Sequence, residues 1–185
     1  DIERRFDRAK LASDTVRDSF TKTVALYDEQ MHRTEVFTEQ LLEDFPAAIA
    51  EKQFTVYYQP KFAIQATMPV LNSAEALVRW NHPEHGFLPP GKFIPIFEQN
   101  GMIAEVDRYM WRCACEQLDR WRGNDLFISV NISPKDFYFM DVTSEIRGLV
   151  KEYGVDPARL RLEITESIMI SDVENKVRLL ADLRQ

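Results

Sequence analysis

The sequence predicts an α/β fold, a TIM-like (β/α)8 barrel present only as its N-terminal half and preceded by a helical extension. From Gln53 onward, strand-like and helix-like segments alternate, the signature of a parallel sheet covered by helices. The ends of these strands carry Arg79, Asn131 and Glu163, with Glu75 slightly deeper, and barrels hold their chemistry at the C-terminal strand ends. Only four strands fit before Gln185, whereas a full ring of eight takes about 200 to 250 residues. An open doubly wound sheet would want a Gly-rich phosphate loop after its first strand, and no glycine follows Pro60 until Gly86.

Residues 1–50 are rich in charge and in good helix formers, contain no glycine and reach their first proline at Pro46. One or two long helices are expected there. Val36, Phe37, Leu41, Leu42, Phe45 and Ile49 recur at helical spacing and make a packing stripe. Residues 1–50 are accordingly read as a helical linker and residues 51–185 as the barrel domain.

The first strand, near 54–59, puts Thr55, Tyr57 and Gln59 on one face, and Pro60 is expected to stop its ladder. The second, near 71–80, sends Glu75, Leu77 and Arg79 to one face and Ala76, Val78 and Trp80 to the other. An unpaired Glu75 on such a face would cost on the order of several kcal/mol, so a metal or another cation is expected beside it. Helices near 91–99 and 105–122 follow, with Asn100-Gly101 closing the first. The third strand, 126–132, segregates Ile128, Val130 and Ile132 from Phe127, Ser129 and Asn131. Asp141 caps a helix over 141–153 that ends at Gly154, the fourth strand over 160–166 turns Glu163 away from Leu160, Leu162 and Ile164, and Asp172 opens a last helix over 172–184.

A hydrophobic content of 45% over 185 residues suffices for a core and argues against disorder. The net charge of -7, from 23 basic and 30 acidic residues, excludes bulk nucleic-acid binding, which draws on clustered Lys and Arg. The sequence contains no membrane-length apolar run and no signal-like N-terminus, and a cytoplasmic location is expected. Cys113 and Cys115 lie two apart on an amphipathic helix, a spacing that suits two reduced thiols rather than a disulfide or zinc site. His82 and His85 flank Pro83 and read as surface turn residues, and His32 as solvated. Trp80, Trp111 and Trp121 read as core.

Glu75-Ala76-Leu77-Val78-Arg79-Trp80 resembles the signature of the EAL family, bacterial phosphodiesterases of cyclic di-GMP. Tyr58-Gln59-Pro60-Lys61, Phe93-Ile94-Pro95 with Glu98, Ile103 to Gln117 with Asp107 and Ala114-Cys115, Val130-Asn131-Ile132-Ser133 and Leu162-Glu163-Ile164-Thr165-Glu166-Ser167 resemble further family segments in the family's order. Phe97 departs from the small residue more often found before Glu98. Phe6-Asp7-Arg8-Ala9-Lys10 and Tyr27-Asp28 are similar to the last helix of a GGDEF domain and its connector to an EAL domain.

The resemblance implies hydrolysis of cyclic di-GMP to linear pGpG, with catalytic Glu75 and Glu163. Glu75, Asn131 and Glu163 would ligate Mg²⁺ or Mn²⁺, hard ions that take oxygen donors, in a two-metal site of the complete domain. Such ions polarise a phosphodiester and acidify water for in-line attack. Gln59, Leu77 and Arg79 would meet the substrate, Arg79 at a phosphate oxygen, while Glu166 would steady a loop. A homodimer is implied for the complete protein. The paired aspartates, the lysine, and the later glutamate and glutamine of the family's second half do not fall within these 185 residues, so the chain alone is expected to be inactive. Two readings stand: a phosphodiesterase, or a non-catalytic receptor or regulatory module. The structural alternative for Glu75 and Glu163 is ion pairing with Arg79 and Arg161.

Overall fold

The computed structural model describes residues 2–17, 21, 23–65 and 67–164. The expected helix over 172–184, its Asp172 cap and Glu166 lie outside the described residues. The chain divides into two compact units, residues 1–46 and 47–185.

In the first unit, α1 spans Ile2–Asp14, and α2, spanning Glu29–Ala50, begins there. Asp28 starts α2 by accepting the Met31 N–H at 2.9 Å, satisfying one of the amides a helix N-terminus leaves unpaired. Of the α2 stripe, Leu41 and Phe45 are buried while Val36 is exposed. His32 is exposed, as expected, and lies near Glu35.

In the second unit, the strands are β1 (Phe54–Ala63), β2 (Val70–His82), β3 (Gly86–Leu88), β4 (Phe127–Ile132) and β5 (Leu160–Ile164). The helices α3 (Ile94–Gln99) and α4 (Ile103–Arg120) lie between β3 and β4, and α5 (Asp136–Phe139) and α6 (Val142–Tyr153) between β4 and β5. The sheet order is β1-β2-β4-β5, with β3 paired to the end of β2. β2, β4 and β5 run parallel, each linked by helical crossovers.

β1 departs from the expected parallel arrangement and pairs antiparallel with β2. Residues 64–69 are too few for the crossover of a dozen or more residues that a parallel pair needs. Nor does Pro60 end the ladder: β1 runs on to Ala63, with Pro60 opposite Ala74 and a register shift between Lys61 and Phe62. Among the described residues β1 pairs only with β2, and a strand with one open edge tolerates a residue without an N–H.

The helix-covered face of the sheet is the core. Ala74, Ala76, Val78, Trp80, Ile128, Val130 and Ile132 are buried there, with Val106, Met110, Trp111, Ala114 and Leu118 of α4. Phe97 is wholly buried, its ring 5.6 Å from those of Trp80 and Phe93 and 6.3 Å from that of Phe54. A bulky side chain at this position therefore fills an aromatic core, where each ring pair adds about 0.5–1.5 kcal/mol beyond burial. Trp80 and Trp111 are fully buried, Trp121 only in part.

His82 corrects the surface expectation. It is buried at the end of β2, its ring centroid 4.8 Å from that of Trp80 at a tilt of 55°, and its Nδ1 accepts the Glu84 and His85 N–H groups at 3.2 Å. This ring organises the β2–β3 turn. The Asp141 cap forms as expected, accepting the Ser144 N–H at 3.1 Å, and Gly154 closes α6 at φ +59°, a conformation open to glycine without a Cβ penalty. Cys113 and Cys115 are free thiols whose burial pushes both pKa values up, that of Cys115 to about 11.

Candidate active site

The sheet face opposite the helices collects the expected site residues because its register is fixed by the burial of the other face. Gln59 lies opposite Glu75 across the antiparallel pair, and Ser129 lies opposite Glu75 and Asn131 opposite Glu163 across the parallel pairs. At the centre of this face stands Lys61, a residue that sequence reasoning gave no role. Its Nζ lies 3.0 Å from Glu75 Oε2 and 2.6 Å from Glu163 Oε1. Asn131 Nδ2 donates to Glu75 Oε1 at 3.4 Å. The cation expected beside Glu75 is thus present, and it is a lysine. The signal in the sequence was the alternation Tyr57, Gln59, Lys61, which ending the strand at Pro60 cut short.

The charges respond to one another. The hydrogen bond to Glu163, with help from Glu75, raises the Lys61 pKa against a smaller desolvation penalty. Partial burial pushes Glu163 up, but the hydrogen bonds from Lys61 and Ser129 outweigh it and its pKa is lowered.

The arginines of the expected structural ion pair sit elsewhere. Arg79 donates to the Val78 carbonyl at 2.8 Å with its Cζ 5.5 Å from the Tyr57 ring centroid, and Arg161 Cζ lies 3.2 Å from the Phe127 centroid. Gln59 is exposed and Leu77 half-buried. Leu77 and Asn131 line a cavity of about 250 Å³ together with Ile94, Glu98, Ile103, Asp107 and Met110.

A second acidic group, unforeseen, anchors the end of β4 from behind. Trp111 Nε1 donates to the Asn131 carbonyl at 3.1 Å. The Ser133 N–H is shared by Asp136 Oδ2 at 2.9 Å and Asp107 Oδ2 at 3.3 Å, and Ser133 Oγ donates to Glu98 Oε1 at 3.1 Å. Asp107 and Asp136 are both buried. Burial raises both pKa values, for Asp107 reinforced by the charge of Asp136, so the pair takes up a proton more readily than two exposed carboxyls would. Asp107 lies within the buried stripe of α4, between Val106 and Met110; a carboxyl there was the readable signal.

Glu75, Asn131 and Glu163 fit a hard divalent ion: two carboxylates converge on one positive charge, and a primary amide is hydrogen-bonded to the first of them. The amide presents Nδ2 to Glu75, so coordination through Oδ1 requires it to turn over. Among the described residues no group of three or more His, Cys, Asp or Glu could hold a metal ion.

The EAL domain family model matches residues 42–185. The bifunctional diguanylate cyclase/cyclic di-GMP phosphodiesterase MucR of Pseudomonas aeruginosa is 33% identical over 147 residues, covering 78% of this chain and 21% of that protein. A solved complex of the MucR phosphodiesterase with cyclic di-GMP superposes with a TM-score of 0.72 at 32% identity, over 78% of this chain and 59% of that one. The EAL domain of Xanthomonas citri FimX in complex with cyclic di-GMP gives 0.70 at 26% identity, over 82% and 59%. The chain spans 26% or less of the length of the first curated relatives it matches. By the family match and the shared fold, the chain belongs to the EAL domain family and carries the N-terminal part of that family's TIM-like barrel.

Proposed function

We propose that this chain is part of a cyclic di-GMP phosphodiesterase, in which Glu75, Asn131 and Glu163 hold Mg²⁺ or Mn²⁺ and the product is linear pGpG. The convergence of Glu75 and Glu163 on one cationic point, with Asn131 of the strand between them hydrogen-bonded to Glu75, carries the reading. Bound there, a divalent ion supplies charge neutralisation at the phosphodiester and an acidified water.

The protein's own groups do the positioning. Glu75 and Glu163 stand two strands apart on a face whose register the core fixes, so their separation is set by the sheet rather than by loops. Arg79, held against Tyr57 on the same face, presents planar N–H donors suited to a phosphate oxygen. Gln59 and Leu77 flank the carboxylates and contact the nucleotide, and Glu166 keeps the loop-stabilising role that the family resemblance implies. Forming pGpG breaks one P–O3′ bond: water delivers hydroxyl to phosphorus, and the departing O3′ takes up a proton. Residues 1–50 serve as a helical connector to a preceding signalling domain. Among the described residues, no helix is long and apolar enough to cross a membrane.

The test is a chromatographic time course of cyclic di-GMP with Mn²⁺, run on the protein carrying this chain beside its Glu75→Gln variant. Accumulation of pGpG that the variant loses supports the proposal. Tight nucleotide binding with no turnover in either protein would overturn hydrolysis in favour of a receptor.

A further inference from the structure

We propose that Lys61 is a built-in counter-ion of the metal site, holding Glu75 and Glu163 together without a divalent ion and having to leave before one can bind. This inference rests on the assignment of Glu75, Asn131 and Glu163 as metal donors.

The fold puts Lys61 there. β1 continues past Pro60, and its antiparallel register sets Lys61 opposite Ser73, on the same face as Gln59 and Glu75. From that position its Nζ bridges Glu75 Oε2 at 3.0 Å and Glu163 Oε1 at 2.6 Å. Two carboxylates held this close repel unless a cation lies between them, and the ammonium offsets that cost.

The same geometry makes the lysine a competitor. Mg²⁺ requires oxygen contacts of about 2.0–2.1 Å, and an ammonium already donating to the same oxygens occupies that space. The lysine side chain is 41% exposed, and its flexible stem allows the ammonium to swing into solvent. Asn131 fits the same picture, because its Nδ2 faces Glu75 while Lys61 is in place and its Oδ1 would have to replace it at a metal. Metal binding is therefore an exchange in which the ammonium leaves, the amide turns over and the divalent ion enters. The affinity of the site is set partly by what it must expel.

Free Mn²⁺ measured by electron paramagnetic resonance during titration of the whole chain tests this, in the wild type, Lys61→Met and Glu75→Gln. Lys61→Met keeps the length of the stem and deletes the charge. Its expected effect is tighter Mn²⁺ binding by about tenfold, while Glu75→Gln binds more weakly than wild type. Unchanged or weaker binding in Lys61→Met, with binding lost in Glu75→Gln, overturns the role of the lysine and leaves the metal site standing. Equal binding by Glu75→Gln and wild type, or none by any of the three, overturns the site and the inference together. Thermal unfolding separates exchange from mere structural support: Lys61→Met should melt lower than wild type without Mn²⁺ yet show the larger upward shift when Mn²⁺ is added. A purely structural lysine would lower both melting points alike, which would also contradict the proposal.

Discussion

Two pairs of acidic side chains flank the end of β4, and they solve the same electrostatic problem in opposite ways. On the open face of the sheet, Glu75 and Glu163 share the Lys61 ammonium and remain partly exposed. On the helix-covered side, Asp107 and Asp136 are buried, no ion pair is seen to bridge them among the described residues, and burial raises both pKa values toward the neutral form. A pair that keeps its charge beside a half-exposed lysine is the one the proposed function assigns to a metal. A pair whose charge burial disfavours holds the backbone at Ser133, and through it the strand end that carries Asn131. Chemistry and scaffolding are thus separated by one β-strand.

The largest expected effect comes from breaking the charged pair. Glu163→Gln should lower cyclic di-GMP turnover by about 10³-fold, the several kcal/mol of charge stabilisation that a metal supplies, with circular dichroism unchanged. Turnover within a few-fold of wild type would remove Glu163 from the metal shell.

On the scaffolding side, Trp111→Phe removes the buried indole N–H that the Asn131 carbonyl accepts. It should destabilise the fold by about 1–3 kcal/mol in urea unfolding; an unchanged midpoint would show that the strand end does not depend on this bond.

Asp136→Asn sharpens the contrast. The amide oxygen can still accept the Ser133 N–H, and the amide nitrogen can donate to Asp107, so no proton need be taken up. The raised pKa values mean that the folded chain binds protons more tightly than the unfolded chain. Wild-type stability should therefore be greatest below the ordinary carboxyl value of 3.8, as far as this pair decides it, and decline as pH rises from there through the raised values. Asp136→Asn should flatten that decline and raise the melting temperature at pH 7 by a few degrees. A lower melting temperature at pH 7 would mean that the pair is not frustrated.

The smallest effect belongs to Lys61→Met without metal. Glu163 is lowered from 4.5 and Lys61 raised from 10.5, so their pairing stabilises the fold between those limits, fading as pH falls through the first or rises through the second. Both side chains are well solvated, which holds the loss to under ~1 kcal/mol. A loss as large as that of Trp111→Phe would refute the picture of a screened, exchangeable cation.

Period-two alternation and helix punctuation were enough to read the face that carries Glu75, Leu77, Arg79, Asn131 and Glu163, and the caps at Asp141 and Gly154. Those signals are local, and burial of the opposite face enforces them. What escaped depends on pairing between distant segments. The direction of β1 follows from the short connection over 64–69, and Lys61 was lost with it because Pro60 reads as a strand end unless the strand lies at an edge. His82 is buried because Trp80 and the turn at Glu84 and His85 close over it, although its neighbours are turn formers. Asp107 announced itself by lying in an apolar stripe, but its partner Asp136 comes from a short helix beyond β4, and no spacing rule connects the two.

The most direct test of the central claim is an anomalous difference map from crystals of the chain grown with Mn²⁺. A peak bridging Glu75 and Glu163, with Asn131 turned to present its oxygen and Lys61 swung toward solvent, is the predicted result. Lys61 still bridging the two carboxylates at millimolar Mn²⁺, with no peak between them, would contradict the account.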